Sequence, residues 1–342
     1  MTAFLYSAER PAAGPRPPEE EPITLRPTAP AHHLRGRRLS IALAFLLVVA
    51  STVGSSPVSA SAAPAGGSSY QARTFNLAPL SWAQLYPTLK KLPPVATHGP
   101  ADADGVPMRL WDGRLYYSPT GIAMRANQRL AAYIQTGDSA YLDVVTRWAD
   151  KLQELAVRSS GALWLPFPYD NPSQQLTAPW YNALAQGSAL ALFSRLHRLL
   201  DDPDYLATAK GLFHSFELLG PSTNPWVGHV DPRGYLWLEH YAGGYSGRVL
   251  NAHLYAIFGL RDYWQETNSD AARHVLEGAI TTMRDNAWKY RRVGTWSWYN
   301  LVNRIAIPRY HGMHIRQLRA LAVASGDPYF SKLADDFASD YP

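Results

Sequence analysis

Three turns repeat one pattern along this chain, and that repetition constrains the fold more than any other feature. Gly137-Asp138-Ser139-Ala140-Tyr141-Leu142, Asp202-Pro203-Asp204-Tyr205-Leu206 and Gly326-Asp327-Pro328-Tyr329-Phe330 each break one helical pattern and start another. In each, an acidic residue can cap the new helix while the aromatic packs back into a hairpin. Residues 140–157 put Val144, Val145, Trp148, Leu152 and Leu155 on one face at helical spacing. The pattern predicts four pairs: 121–133 with 140–157, 180–200 with 205–219, 248–264 with 271–288, and 310–324 with 329 onward. The spacing of roughly sixty residues, one hairpin plus a long loop, reads as a repeat architecture. The expectation is an all-α fold. Such hairpins stack into an open solenoid or close into an (α/α) toroid.

Long loops at 164–179, 224–245 and 294–308 are rich in Trp, Tyr, Pro and Gly. Loops of that length in a compact domain are usually functional. A ring gathers all three at one mouth, which favours the toroid, complete or open. Residues 70–119 are less regular. A short helix is expected to open at Leu77-Ala78-Pro79-Leu80-Ser81-Trp82. A small β-hairpin is expected from Met108-Arg109-Leu110-Trp111 to Arg114-Leu115-Tyr116-Tyr117, turning on Asp112-Gly113.

Composition narrows the function. With 46% hydrophobic residues in 342, the chain is not a disordered protein and has enough for one large core. Eleven Trp and twenty Tyr suit stacking on sugar rings as well as helix packing. The net charge is +5, part of it in the leading segment, and no Lys/Arg run is dense enough for nucleic acid. A mildly basic remainder suits an anionic glycan. The absence of cysteine excludes disulfides and thiolate metal sites.

The chain's beginning reads as an address. Residues 1–35 are an extension rich in Pro, Ala, Arg and Glu without apolar period and read as disordered. Residues 36–63 have the order of a signal peptide: Arg37-Arg38, an apolar run from Ile41, then Ser59-Ala60-Ser61-Ala62. Cleavage is expected after Ala60 or Ala62. The competing reading is an uncleaved anchor that tethers the protein through residues 39–53. Residues 64–69 read as a linker, and 70–342 as the folded toroid. Secretion or attachment to the bacterial cell envelope follows, and homodimerisation is left open.

No nucleotide loop, zinc-protease helix or nucleophile elbow is present. Three segments instead combine aromatics with titratable groups. They are Trp180-Tyr181-Asn182-Ala183-Leu184-Ala185-Gln186-Gly187; Trp237-Leu238-Glu239-His240-Tyr241 with Val249-Leu250-Asn251; and Tyr299 and Arg304 followed by Arg309-Tyr310-His311-Gly312-Met313-His314-Ile315-Arg316-Gln317-Leu318. Together with Tyr117-Ser118-Pro119, these motifs resemble, in order, the C-terminal catalytic domain of D-glucuronyl C5-epimerases. The third motif is the most specific.

The resemblance implies an isomerase that removes the C5 proton of a glucuronate in a heparosan-like polymer and returns it on the opposite face. Two acid/base groups must flank the ring, and the carboxylate needs positive charge or donors. It implies catalytic roles for Tyr310 and Tyr241. The family has a glutamate directly before the central tyrosine; this chain has His240 there, with Glu239 one earlier. Either His240 is the base, or Glu239 shifts in, or the chain does not epimerise. The expected substrate residues are Tyr299, Arg304, Arg309, His311, His314, Trp180, Tyr181, Gln186, Asn251 and Tyr117. His311 and His314 read better as hydrogen-bonding groups than as a metal pair. No cofactor is implied. A lyase shares the C5 deprotonation, a hydrolase needs two carboxylates across the cleft, and a non-catalytic glycan binder stands as the remaining alternative.

Overall fold

Short polar caps set where the helices begin. A computed structural model describes residues 69–81, 84, 89–97 and 99–341, all within one compact unit, 63–342. The expectations for 1–35 and 36–63, for 64–69 apart from Ser69, and for Trp82 lie outside the described residues. The described residues contain eight α-helices: α1 (Pro119–Thr136), α2 (Ser139–Leu155), α3 (Ala183–Leu200), α4 (Pro203–His214), α5 (Leu250–Thr267), α6 (Asp270–Asn286), α7 (Pro308–Ser325) and α8 (Tyr329–Asp340).

The repeated turns act as the sequence predicts. Asp138 accepts the Ala140 N–H, Asp202 accepts the Asp204 N–H, and Asp327 accepts the Tyr329 N–H at 2.9 Å. Each such cap contributes about 1 kcal/mol. Tyr141, Tyr205 and Phe330 are buried behind them. α1, α3 and α7 therefore each form a hairpin with the next helix, and α5 does so with α6 across a turn capped by Ser269.

The odd helices are inner and the even ones outer. Successive inner helices pack on one another, α1 on α3, α3 on α5 and α5 on α7. α3 and α5 are buried around nearly their whole circumference, as helices enclosed by others must be. A cavity of about 500 Å³ is lined by Met124 and Asn127 of α1, Ser188 of α3, Tyr255 and Phe258 of α5, and Ala320 of α7. The four inner helices thus surround one axis, and the fold is an (α/α) toroid.

The described residues also contain seven short strands, before and between the helical hairpins. β1 (Met108–Trp111) and β2 (Arg114–Tyr117) form the expected hairpin, with Arg109 opposite Tyr116. β3 (Val157–Ser159) and β4 (Ala162–Trp164) make a second. β5 (Leu219–Gly220), β6 (Gly228–Val230) and β7 (Leu236–Leu238) form a three-stranded sheet that the composition did not reveal.

Some helix boundaries differ from the expectation for local reasons. α2 stops at Leu155 because Val157 pairs with Trp164. Residues 180–182 are extended, and Trp180 pairs with Phe167. α4 ends at His214, since Leu219 and Gly220 enter the sheet. α5 starts after Arg248, whose φ of 58° is left-handed. Leu77–Ser81 carries no helix.

The closest approach in the ring depends on two glycines. A Cβ on Gly187 of α3 would lie 2.5 Å from Ala256 Cα, and one on Gly259 of α5 would lie 2.1 Å from the Gly187 carbonyl oxygen. Neither backbone can retreat without repacking both inner helices. Gly259→Ala is therefore expected to cost about 2–3 kcal/mol or more, read as a fall in Tm of roughly 5–10 °C. An unchanged melting curve would contradict this packing.

Candidate active site

The first turns of the inner helices open onto a cleft of about 480 Å³. Thr120 and Gly121 of α1, Leu184 of α3, Asn251 of α5 and Tyr310 of α7 line it. Four positive helix ends therefore face one space, a setting that favours a bound anion. The three long loops contribute the rest: Phe167, Tyr169, Asn171 and Ser173 from the first, His240 and Tyr241 from the second, Tyr299 from the third. The β1–β2 hairpin closes one side with Met108, Arg109 and Trp111.

Each loop is held by backbone bonds to the frame. The Glu239 N–H donates to Val227 and the Glu239 carbonyl accepts from Ala183, which fixes His240 and Tyr241 against the start of α3. The Leu250 N–H donates to Tyr299, tying the third loop to the start of α5. Ser297 is gripped from α7, where its hydroxyl lies 3.0 Å from His311 Nδ1 and 2.8 Å from His314 Nδ1.

A titratable cluster occupies the floor. The His240 and Tyr241 rings lie 4.2 Å apart and the Tyr299 and Tyr310 rings 4.7 Å apart. Tyr241 packs against Tyr299 in the same cluster. Burial pushes both of these phenols up, so they stay protonated at neutral pH. Burial, with the Arg109 charge adding, pushes the His240 imidazole down to about 4. His240 is thus neutral at pH 7, and its Nδ1 makes no hydrogen bond within the protein.

Other buried polar atoms lack partners in the same place. Thr120 Oγ1, Asn182 Nδ2 and Asn251 Oδ1 are unpaired, and all three residues line the cleft. Buried polar groups are normally bonded, so such a cluster marks where a polar ligand completes the set. Aromatic faces surround it. Trp180 stacks on Phe167 at 4.1 Å and lies 6.3 Å from Tyr241.

The structure brings Tyr310, Tyr241, His240, Tyr299, Trp180 and Asn251 together at the cleft and places the other candidates elsewhere. Glu239 points away from it. Neighbours leaving the end of β7 project to opposite sides, and the Glu239 carboxylate accepts the Arg248 N–H at 2.7 Å instead. Arg304 and Arg309 are exposed and outside the lining, although Arg309 lies over the Tyr310 ring at 5.3 Å. His311 turns to the Phe337 and Tyr341 carbonyls, and His314 is buried beneath Tyr310, with ring centroids 6.2 Å apart. Gln186 bridges Leu163, Leu165 and Ser215 inside the core. Tyr181 packs edge-on against Trp164, and Tyr117 donates to Asp102. His311, His314 and Gln186 thus hold the neighbouring backbone and loops in place. Arg109, Arg125, Thr120 and Asn182 line the cleft and were not singled out from the sequence. Among the described residues no group of three or more His, Asp or Glu is arranged to hold a metal.

Burial pushes Glu239 up to about 7, against the pull of the Arg248 N–H and guanidinium. Because its folded pKa lies above the unfolded value, the folded state holds the proton more tightly. That contribution is complete below about pH 4.5 and is lost as the pH rises through about 7. Glu239→Gln keeps an oxygen for the Arg248 N–H and removes the buried charge. We expect it to stabilise the protein at pH 8 by on the order of 1–3 kcal/mol and to have little effect near pH 4.5. Equal effects at both pH values in thermal melts would contradict the buried-charge account.

Helical hairpins here surround an aromatic, cation-lined cleft, the concave kind of surface on which ligand sites are built. The chain belongs to the D-glucuronyl C5-epimerase C-terminus family, whose model matches residues 158–339, more than half of it. A D-glucuronyl C5-epimerase of Caenorhabditis elegans is 25% identical over 176 residues, covering 46% of this chain and 28% of the relative. The chain therefore spans little more than a quarter of that protein. Among solved structures, a cellobiose 2-epimerase from Bacillus thermoamylovorans aligns with a TM-score of 0.49 and 13% identity over 70% of this chain and 66% of its own. A GH76 alpha-mannanase of Bacteroides thetaiotaomicron aligns at 0.46 and 13% identity over 70% and 59%.

Proposed function

We propose that the chain is a uronate C5-epimerase acting on a glucuronate-containing polysaccharide outside the cell. The observation that carries this reading is the composition of the cleft. It holds one neutral imidazole, five phenols and two arginines, and among the described residues no Asp or Glu lines it. A hydrolase needs two carboxylates flanking the glycosidic bond, and this lining offers none. Removal and return of a carbon-bound proton needs a base on one side and an acid on the other. Export rests on the signal-like order of residues 36–63.

In this scheme His240 Nδ1 takes the C5 proton. The C–H electron pair moves into the carboxylate as an enediolate. Tyr310 gives its hydroxyl proton to C5 from the opposite face, leaving a phenolate. Proton transfer through solvent restores both groups. Tyr241 and Tyr299 remain protonated and supply donors to the developing charge. The positive ends of the inner helices act on the same charge.

The test is incubation with a glucuronate polymer in heavy water. Deuterium at C5 without chain shortening is the expected result. A rise in ultraviolet absorbance from an unsaturated uronate would replace the epimerase with a lyase. No deuterium and no cleavage across uronate polymers would leave a glycan binder.

A further inference from the structure

Both arginines of the cleft, Arg109 and Arg125, come from outside the stretch that the family model covers. Arg109 sits on β1, and the hairpin register puts it on the same face as Tyr116 and Trp111. Its guanidinium lies over the Trp111 ring at 4.6 Å and over the Tyr169 ring at 5.8 Å. Among the described residues no carboxylate pairs with it, although the fold pairs many of its other arginines with acids. Two aromatic faces thus orient the planar fork while its hydrogen-bonding edge has no anionic partner.

We infer that Arg109 receives the carboxylate of the bound uronate and sets the reacting C5 against His240. The inference rests on the function proposed above. Its geometric basis is that Arg109 and His240 line the same cleft and are joined by one run of packed rings, from Tyr169 under Arg109 through Trp180 to Tyr241 and His240. C5 is one bond from the carboxylate carbon, so the group that seats the carboxylate also places C5. The enediolate concentrates added charge on those same two oxygens, where a guanidinium fork matches both. A seated carboxylate also offsets the positive charge that helps hold His240 neutral, so substrate strengthens its own base. Arg125 lines the cleft from α1 as a second cation. The N-terminal hairpin is then a working part of the site.

The experiment compares three ligands on the full chain by calorimetric or NMR titration: a glucuronate-containing heparosan tetrasaccharide, its methyl ester and its carboxyl-reduced form. The parent protein is expected to prefer the carboxylate by on the order of 10- to 100-fold, the worth of a charge-assisted bond. Arg109→Gln should abolish that preference by weakening only the carboxylate form. Arg109→Lys should restore part of it, and Arg304→Gln, altering an exposed residue outside the cleft, should keep all of it. A parent protein that binds none of the three, or binds them equally, overturns the inference. So does Arg109→Gln if it retains the preference, or weakens all three ligands alike as a merely structural change would. A preference that depends on Arg109, with no deuterium entering C5, would leave the carboxylate site standing and remove the epimerase reading instead.

Discussion

Tyr310→Phe is expected to lower C5 proton exchange by on the order of a hundredfold or more while leaving Tm within a degree or two. The side chain is half-buried at the third position of α7, and its ring packs against Tyr299 at 4.7 Å and over His314 at 6.2 Å. Phenylalanine keeps those ring contacts, and among the described residues no hydrogen bond ends on the Tyr310 hydroxyl. What disappears is the proton that returns to C5. Exchange should fail in kcat more than in KM, because the hydroxyl acts on the transition state. If Tyr310→Phe exchanges deuterium at the parent rate, the acid must be sought between Tyr241 and Tyr299.

The second large effect separates two neighbours. His240→Ala is expected to reduce exchange by on the order of a hundredfold or more, whereas Glu239→Gln should keep it within a few-fold. The motif alone left both as bases. The structure turns His240 into the cleft with Nδ1 unpaired and turns Glu239 to the Arg248 backbone. A residue that only braces the loop acts through position, so its isosteric amide preserves function. Parallel measurements of rate and melting temperature check the distinction. Loss of exchange in Glu239→Gln with an intact fold would assign the base to the carboxylate.

Local chemistry explains what was legible beforehand. Asp138 and Asp202 cap helices a residue or two away, so sequence and structure report the same event. Tyr241, Tyr299 and Tyr310 sit in motifs whose spacing is set by helix starts and short loops. The sidedness of Glu239 and His240 depends on the alternation of β7, a three-residue strand too short to announce itself. His311 and Tyr310 are adjacent, yet one helical step swings His311 toward α8 and Tyr310 into the cleft. Arg304 was favoured over Arg109 because it lies near a motif. Only the folding of the N-terminal hairpin against the cleft brings Arg109 into the same lining as His240, and no local pattern encodes that placement. The Gly187–Gly259 crossing is likewise a property of two helices together.

The central claim is that this cleft inverts C5 of a glucuronate by exchanging its proton with solvent. The most direct measurement is proton NMR of a glucuronate polymer held with the protein in heavy water. The account predicts new iduronate residues that carry deuterium at C5, in chains of unchanged length, with both signals lost in Tyr310→Phe. Polymer that remains entirely glucuronate with its C5 protons intact would contradict it.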